Sequence, residues 1–235
     1  MRYKNVVPGR FLVRRNRFIA EVELANGIET VHVKNTGRCR ELLMPGARVY
    51  LEKAENPARK TPFDLIAVEK KRPGKEALLI NMDSQVPNAA ALEWLPASGL
   101  FSPRTVFRRE VTFGSSRFDI FAEDGERRAF IEVKGVTLED GGIALFPDAP
   151  TERGVKHLNE LADCVRKGFE AYIFFVIQMK GVRRFGPNDA LHPGFGNALR
   201  RAVRAGVKLL VRDCRVTPDS IEIDGPVEAD LKFKT

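Results

Sequence analysis

Asp119 in "RFDIFAE" and the pair Glu132 and Lys134 in "RAFIEVKGV" are the residues whose types and spacing suggest chemistry. Each stands in the middle of an apolar run that a sheet would normally bury, and a charged group in a core is costly unless it is paired or bound to a metal. Reading Asp124-Gly125 as the two central residues of a hairpin turn puts Glu123 opposite Glu126 and Asp119 opposite Phe130. Strand alternation then gathers Asp119, Glu132 and Lys134 on one face, with the two carboxylates as diagonal neighbours roughly 7 Å apart at Cα. Phe118, Ile120, Ala122, Ile131 and Val133 fill the other face. A slip of one place would flip one strand's faces and disperse the trio.

Two carboxylates in that arrangement can hold one hard divalent cation, Mg²⁺ or Mn²⁺, with water in the remaining positions and the Val133 carbonyl as a further ligand. A cation-bound water is a nucleophile suited to attack on phosphorus, and Lys134 could orient it or offset developing charge. Asp119, Glu132 and Lys134 are thus the candidate catalytic residues. Asp119, Glu132 and Glu110, from "FRREVTF", are the candidate metal ligands, although Glu110 reads equally well as a surface glutamate. The competing reading is an ion pair, Glu132 with Lys134 or with Arg117, which the same register places opposite it.

The elements that must position these residues are legible in outline. The first eighty or so residues read as short strands: "FIAEVEL", an Asn26-Gly27 hairpin signal, "ETVHV", "ARVYLEK", "FDLIAVEK" and "ALLINM". Five strands with one brief helix near "RELLM" predict an oligonucleotide-binding (OB) barrel. "NAALEWLPASGL" reads as a helix and connector, which places a boundary between domains 1–86 and 87–235. Beyond it the pattern turns to mixed α/β, so the fold class is α+β: an OB-like β-barrel followed by an α/β domain. Three strand-like runs lead to a Gly-rich loop and a helix from about Glu152 to Lys167, capped at Thr151. The continuous apolar run "AYIFFVIQM" is a strand buried on both faces. A helix at "NALRRAVRAG", a strand at "VKLLVRD" and a turn at Asp224-Gly225 complete the reading.

The formal charge of +8 over 235 residues favours a polyanionic partner. The candidate DNA-binding residues are Arg14, Arg15, Arg17, Arg38, Arg40, Arg59 and Lys60 in the barrel region, and Arg153 and Lys156 on the Glu152 helix, whose polar face also carries His157 and Glu160. Phe11, Phe18 and Phe63 could stack on bases, with core packing as the alternative. No apolar run approaches the roughly 20 residues of a membrane helix and no signal peptide is evident, so a cytoplasmic protein is expected. Cys39, Cys164 and Cys214 form no CxxC pair, which fits free thiols in a reducing compartment.

Asp119 followed by Glu132-x-Lys134 resembles the core of the PD-(D/E)xK nucleases. "RFLVRRNRFIAEVEL", "HVKNTGRCRELLMPGARVYL", "NPARKTPFDLIAVE", "SSRFDIF", "IEVKGVTL" and "FPDAPTERGVKHLNEL" together resemble the SfsA family, the sugar fermentation stimulation proteins. That resemblance implies an OB-type barrel, a nuclease-like second domain, sequence-tolerant DNA binding and a regulatory connection with maltose metabolism. It puts Asp119, Glu132 and Lys134 on the nuclease-like positions and Arg38 in the family's "NTGR" stretch. The chain departs from the family at Val33-Lys34, where a Cys-Pro pair is common, and at Cys39, where methionine is usual. Two functions remain: a metal-dependent DNA nuclease, or a DNA-binding regulatory protein of sugar metabolism without catalysis. DNA or RNA, single or double strands, and monomer or homodimer stay open.

Overall fold

A computed structural model describes residues 1–35 and 37–232. The chain forms two compact units, the first built from Met1–Val86 with Gln178–Lys180 and Cys214–Glu222, the second from the remainder.

The first unit is a closed barrel of five strands, β1 (Val6–Arg14), β2 (Ile19–Leu24), β3 (Gly27–Val33), β4 (Arg48–Lys53) and β5 (Phe63–Arg72), extended by β6 (Lys75–Asn81). Parallel pairing of His32 with Asp64 and Val33 with Leu65 closes β3 onto β5. β1 has no counterpart in the sequence reading, because Pro8-Gly9 resembles a turn. The glycine is there for space: a Cβ on Gly9 would sit 2.5 Å from Val22 Cγ1 and 2.8 Å from Leu24 Cδ2. The expected helix at "RELLM" is absent. Leu42 and Leu43 are instead buried by a single turn whose amides both bond the Cys39 carbonyl.

Arg14, at the end of β1, uses all five of its N–H donors on main-chain carbonyls: Nε on Asn16, Nη1 on Gly37 and Arg38, Nη2 on Arg17 and Asn35, at 2.6–3.2 Å. The guanidinium clips the turn after β1 to the loop after β3. A lysine has one ammonium and no fork. Arg14→Lys is therefore expected to lower stability by about 2 kcal/mol, read as a shifted urea midpoint; an unchanged midpoint would contradict the clip.

The second unit opens with α1 (Val86–Trp94), followed by a short 3₁₀ turn. The chain's other six-stranded sheet contains β7 (Val106–Phe113), β8 (Ser116–Asp124), β9 (Arg127–Val136), β12 (Glu170–Ile177), β14 (Lys208–Thr217) and β15 (Ser220–Pro226) in the order β15-β14-β12-β9-β8-β7. β12 runs parallel to both β9 and β14, and Ala171–Ile177 are all buried, as the apolar run predicts. Helices α2 (Glu152–Arg166) and α3 (Pro193–Arg204) carry strong apolar faces. α2 starts where expected, with the Thr151 hydroxyl accepting from the Gly154 amide at 3.0 Å. The Gly141-Gly142 segment is a hairpin of β10 (Leu138–Asp140) and β11 (Ile143–Phe146), which joins β13 (Arg184–Pro187) and β16 (Glu228–Ala229) in a small second sheet. Asp224-Gly225 is no turn: it lies within β15, where the Gly225 amide donates to Asp213.

At the start of the interior strand β12, Glu170 accepts from Arg127, Tyr172 and Lys208. The Arg127 hydrogen bond, outweighing burial, with help from Tyr172 and Lys208, holds its carboxyl down at about 2. A carboxyl depressed on folding contributes stability above its ordinary pKa near 4.5 and loses it as pH falls toward about 2. With solvent screening, Glu170→Gln should remove on the order of 1 kcal/mol of the stability lost across that window. Urea titrations at pH 6 and pH 3 check this, and an identical pH dependence in the variant would contradict it.

Candidate metal centre

The β8–β9 turn sets the register of the site. Ile120 faces Ile131 and Asp124 faces Arg127, so the two central residues are Gly125 and Glu126. Gly125, at φ +58°, takes the first central position, where II′ hairpins favour glycine. This corrects the Asp124-Gly125 assignment and moves the pairing by two places. Asp119 is therefore in register with Glu132 and not with Phe130. A shift of two preserves faces, so the carboxylates still converge.

The ladder stops at Ile120–Ile131, and the Asp119 side chain takes over beyond it. Its Oδ2 accepts the Val133 amide at 2.8 Å, while Oδ1 accepts Asn88 Nδ2 from α1 at 2.8 Å. Sequence reasoning missed Asn88, whose only signal is a polar residue among the alanines of "NAALEW". Glu132 is 2% exposed. Its Oε1 accepts from Lys134 Nζ at 2.5 Å and from His157 Nδ1. Arg153 Nε in turn donates to His157 Nε2 at 3.3 Å, so the imidazole donates to the carboxylate and accepts from the guanidinium. The other oxygen of Glu132, Oε2, is buried with no hydrogen-bond partner.

The two carboxyls are pushed in opposite directions. Burial, then the charge of Glu132, raises Asp119 against the Val133 amide, Lys134 and Asn88. Burial also acts to raise Glu132, but the His157 hydrogen bond, then the charge and hydrogen bond of Lys134, outweigh it and hold the carboxyl below its ordinary range. Glu132 is thereby kept ionised in a buried site.

The structure does not bring Glu110 into this group. Its side chain is exposed and pairs with Arg117 at 3.4 Å, on a backbone at φ +57° that side-chain-bearing residues rarely adopt. No set of three carboxylate, thiol or imidazole groups suited to a metal occurs among the described residues. The Glu132–Lys134 ion pair of the competing reading is present. Arg117 turns to Glu110 instead.

The basic candidates divide into committed and open groups. Arg14 is spent on carbonyls, Arg15 bonds Glu21 through two nitrogens, and Arg59 grips Asp64 with two. Lys156 donates to the Ser115 carbonyl and lies 4.0 Å from Glu160, while Arg153 serves His157. Arg17, Arg38, Arg40 and Lys60 are exposed, and their side chains have no ion-pair or hydrogen-bond partner among the described residues. Phe11 is core, Phe63 is half-buried, and Phe18 is 51% exposed.

An OB-type barrel followed by a sheet-rich α/β unit defines a two-domain α+β protein. Residues 12–80 match the family model described as the SfsA N-terminal OB domain, and residues 85–220 match the sugar fermentation stimulation protein RE domain. A sugar fermentation stimulation protein homolog of Desulfitobacterium hafniense (strain Y51) is 56% identical over 94% of this chain and 95% of its own. Another from Ruminiclostridium cellulolyticum is 52% identical over 98% and 100%. The solved structure of Pyrococcus furiosus SfsA in complex with Ca²⁺ superposes with a TM-score of 0.83 at 28% identity, covering 98% of both chains. The chain belongs to the SfsA family of sugar fermentation stimulation proteins.

Proposed function

We propose that this protein binds DNA with little sequence preference and that its second unit cleaves phosphodiester bonds with a divalent cation held by Asp119 and Glu132. The observation that carries the reading is the unpartnered, buried Oε2 of Glu132 beside a second, half-buried carboxylate, Asp119. An ionised oxygen left without a donor in a core is costly, and a cation removes that cost. The donor set is all oxygen, which suits Mg²⁺ or Mn²⁺. The Ca²⁺ of the Pyrococcus furiosus SfsA complex is a hard cation of the same preference.

A bound cation would supply charge neutralisation at phosphate and a more acidic water. The chain's own residues do the rest. Asn88 and the Val133 amide fix the Asp119 carboxylate, and His157, itself held by Arg153, fixes Glu132. Lys134 places an ammonium at the same carboxylate, where it can meet the negative charge that accumulates on phosphate. The unpartnered cations Arg17, Arg38, Arg40 and Lys60 would neutralise phosphates without reading bases, so affinity should fall steeply with salt.

The binding-only reading is favoured by one observation, the complete Lys134–Glu132–His157 network on Oε1. Calorimetric titration with Mn²⁺ separates the two. One site that is weakened at least ~10-fold in Asp119→Asn is expected for a carboxylate ligand; no binding in the parent protein would leave the trio a structural ion-pair network.

A further inference from the structure

The barrel carries a cavity of about 480 Å³ walled by Phe18, His32, Lys34, Arg59, Asp64 and Ser84, within the range of small-molecule sites. Its charged groups are already neutralised in pairs. Arg59 grips both oxygens of Asp64 at 2.7 and 2.9 Å, and Lys34 lies 2.8 Å from Asp83. His32 Nδ1 contacts Asp64 Oδ1 at 2.9 Å, which leaves Nε2 as the ring's other hydrogen-bonding atom. Such a wall offers fixed polar groups but little net charge, a match for a neutral, flat, hydrogen-bonding ligand and a poor match for a free anion. Phe18 adds an aromatic surface that is 51% exposed.

Positive charge is placed beside the cavity by the Arg14 clip. One guanidinium bonds the carbonyls of both Arg17 and Arg38, at 2.6 and 2.8 Å, so these two residues from different loops are held together. Arg17 precedes Phe18 in the chain, and the clip also holds Asn35, next to Lys34. The side chains of Arg17 and Arg38 are exposed and have no ion-pair or hydrogen-bond partner among the described residues. A neutral polar recess with an aromatic edge, flanked by two open arginines, has the layout of a base site beside a phosphate site.

We infer that this cavity takes one unpaired nucleobase of a single-stranded segment, stacked on Phe18 with its flanking phosphates on Arg17 and Arg38. The inference rests on the nucleic-acid reading above and adds strandedness to it. A base inside a duplex cannot enter such a recess without leaving its stack.

The test is fluorescence anisotropy of the full chain in EDTA, with labelled dT12, the same strand lacking its bases, and the duplex dT12·dA12. Tighter binding of dT12 than of either competitor is expected, with a loss of about 10-fold in Phe18→Ala for dT12 alone. Arg38→Ala should weaken all three probes and flatten the salt dependence. Phe18 is exposed, so its replacement leaves the barrel folded. Equal binding of dT12 and duplex, or a Phe18→Ala variant that binds dT12 like the parent, overturns the base site while leaving DNA binding intact. Absence of binding to every probe overturns both this inference and the nucleic-acid reading.

Discussion

Lys134→Met is expected to lower the rate of DNA cleavage by at least about 10²-fold while Mn²⁺ binding is retained, as for other removals of a preorganised charge at a reacting centre. Methionine keeps the length and apolar stem of the side chain but removes the ammonium. Nζ lies 2.5 Å from Glu132 Oε1, whereas Oε2 makes no hydrogen bond to it. Losing the ammonium therefore leaves both carboxylates in place, with His157 still holding Glu132. Parallel single-turnover cleavage and calorimetry check the split. A variant that cuts at the parent's rate would show that Lys134 serves only to balance a buried charge.

Glu132→Gln should have a larger effect, removing metal-dependent cleavage by about 10³-fold or more, because it takes the anionic ligand out of a site with only two carboxylates. Glutamine preserves shape and one acceptor oxygen. His157 can still donate to it, and Lys134, partly exposed, can turn to water. The far-ultraviolet dichroism should match the parent. Loss of cleavage in a variant that is also unfolded would carry no information on the site, so the two measurements belong together.

The hairpin shows how much of this site is written in the primary sequence. Charged residues at Asp119, Glu132 and Lys134 inside apolar runs announce a shared face, and the structure places them on one. The turn is misplaced by a residue in the sequence reading because Asp-Gly fits a I′ turn as well as Gly-Glu fits the II′ position, and only the paired strands decide. That error shifts the register by two and so spares the faces. Asn88 leaves only a faint trace in the sequence, a polar residue among alanines, because its role depends on α1 meeting β8. Arg14 is legible as a cation but not as a clip, since its five acceptors are main-chain carbonyls that carry no side-chain signature. β1 is hidden by Pro8-Gly9, where close packing on Val22 and Leu24, and not a turn, explains the glycine. The parallel core strand β12 is plain, because burial on both faces leaves an unbroken apolar run.

The paired carboxylates of Asp119 and Glu132, on this reading, exist to hold a catalytic cation. The most direct test compares the parent protein with Glu132→Gln on linear, circular and single-stranded DNA, each with Mn²⁺, with Mg²⁺ and with EDTA. Cleavage by the parent protein is expected in Mn²⁺ or Mg²⁺, none in EDTA, and none by the variant under any condition. Intact DNA in every lane, with both proteins binding it equally, would contradict a catalytic cation and make the trio a structural ion-pair network in a DNA-binding protein.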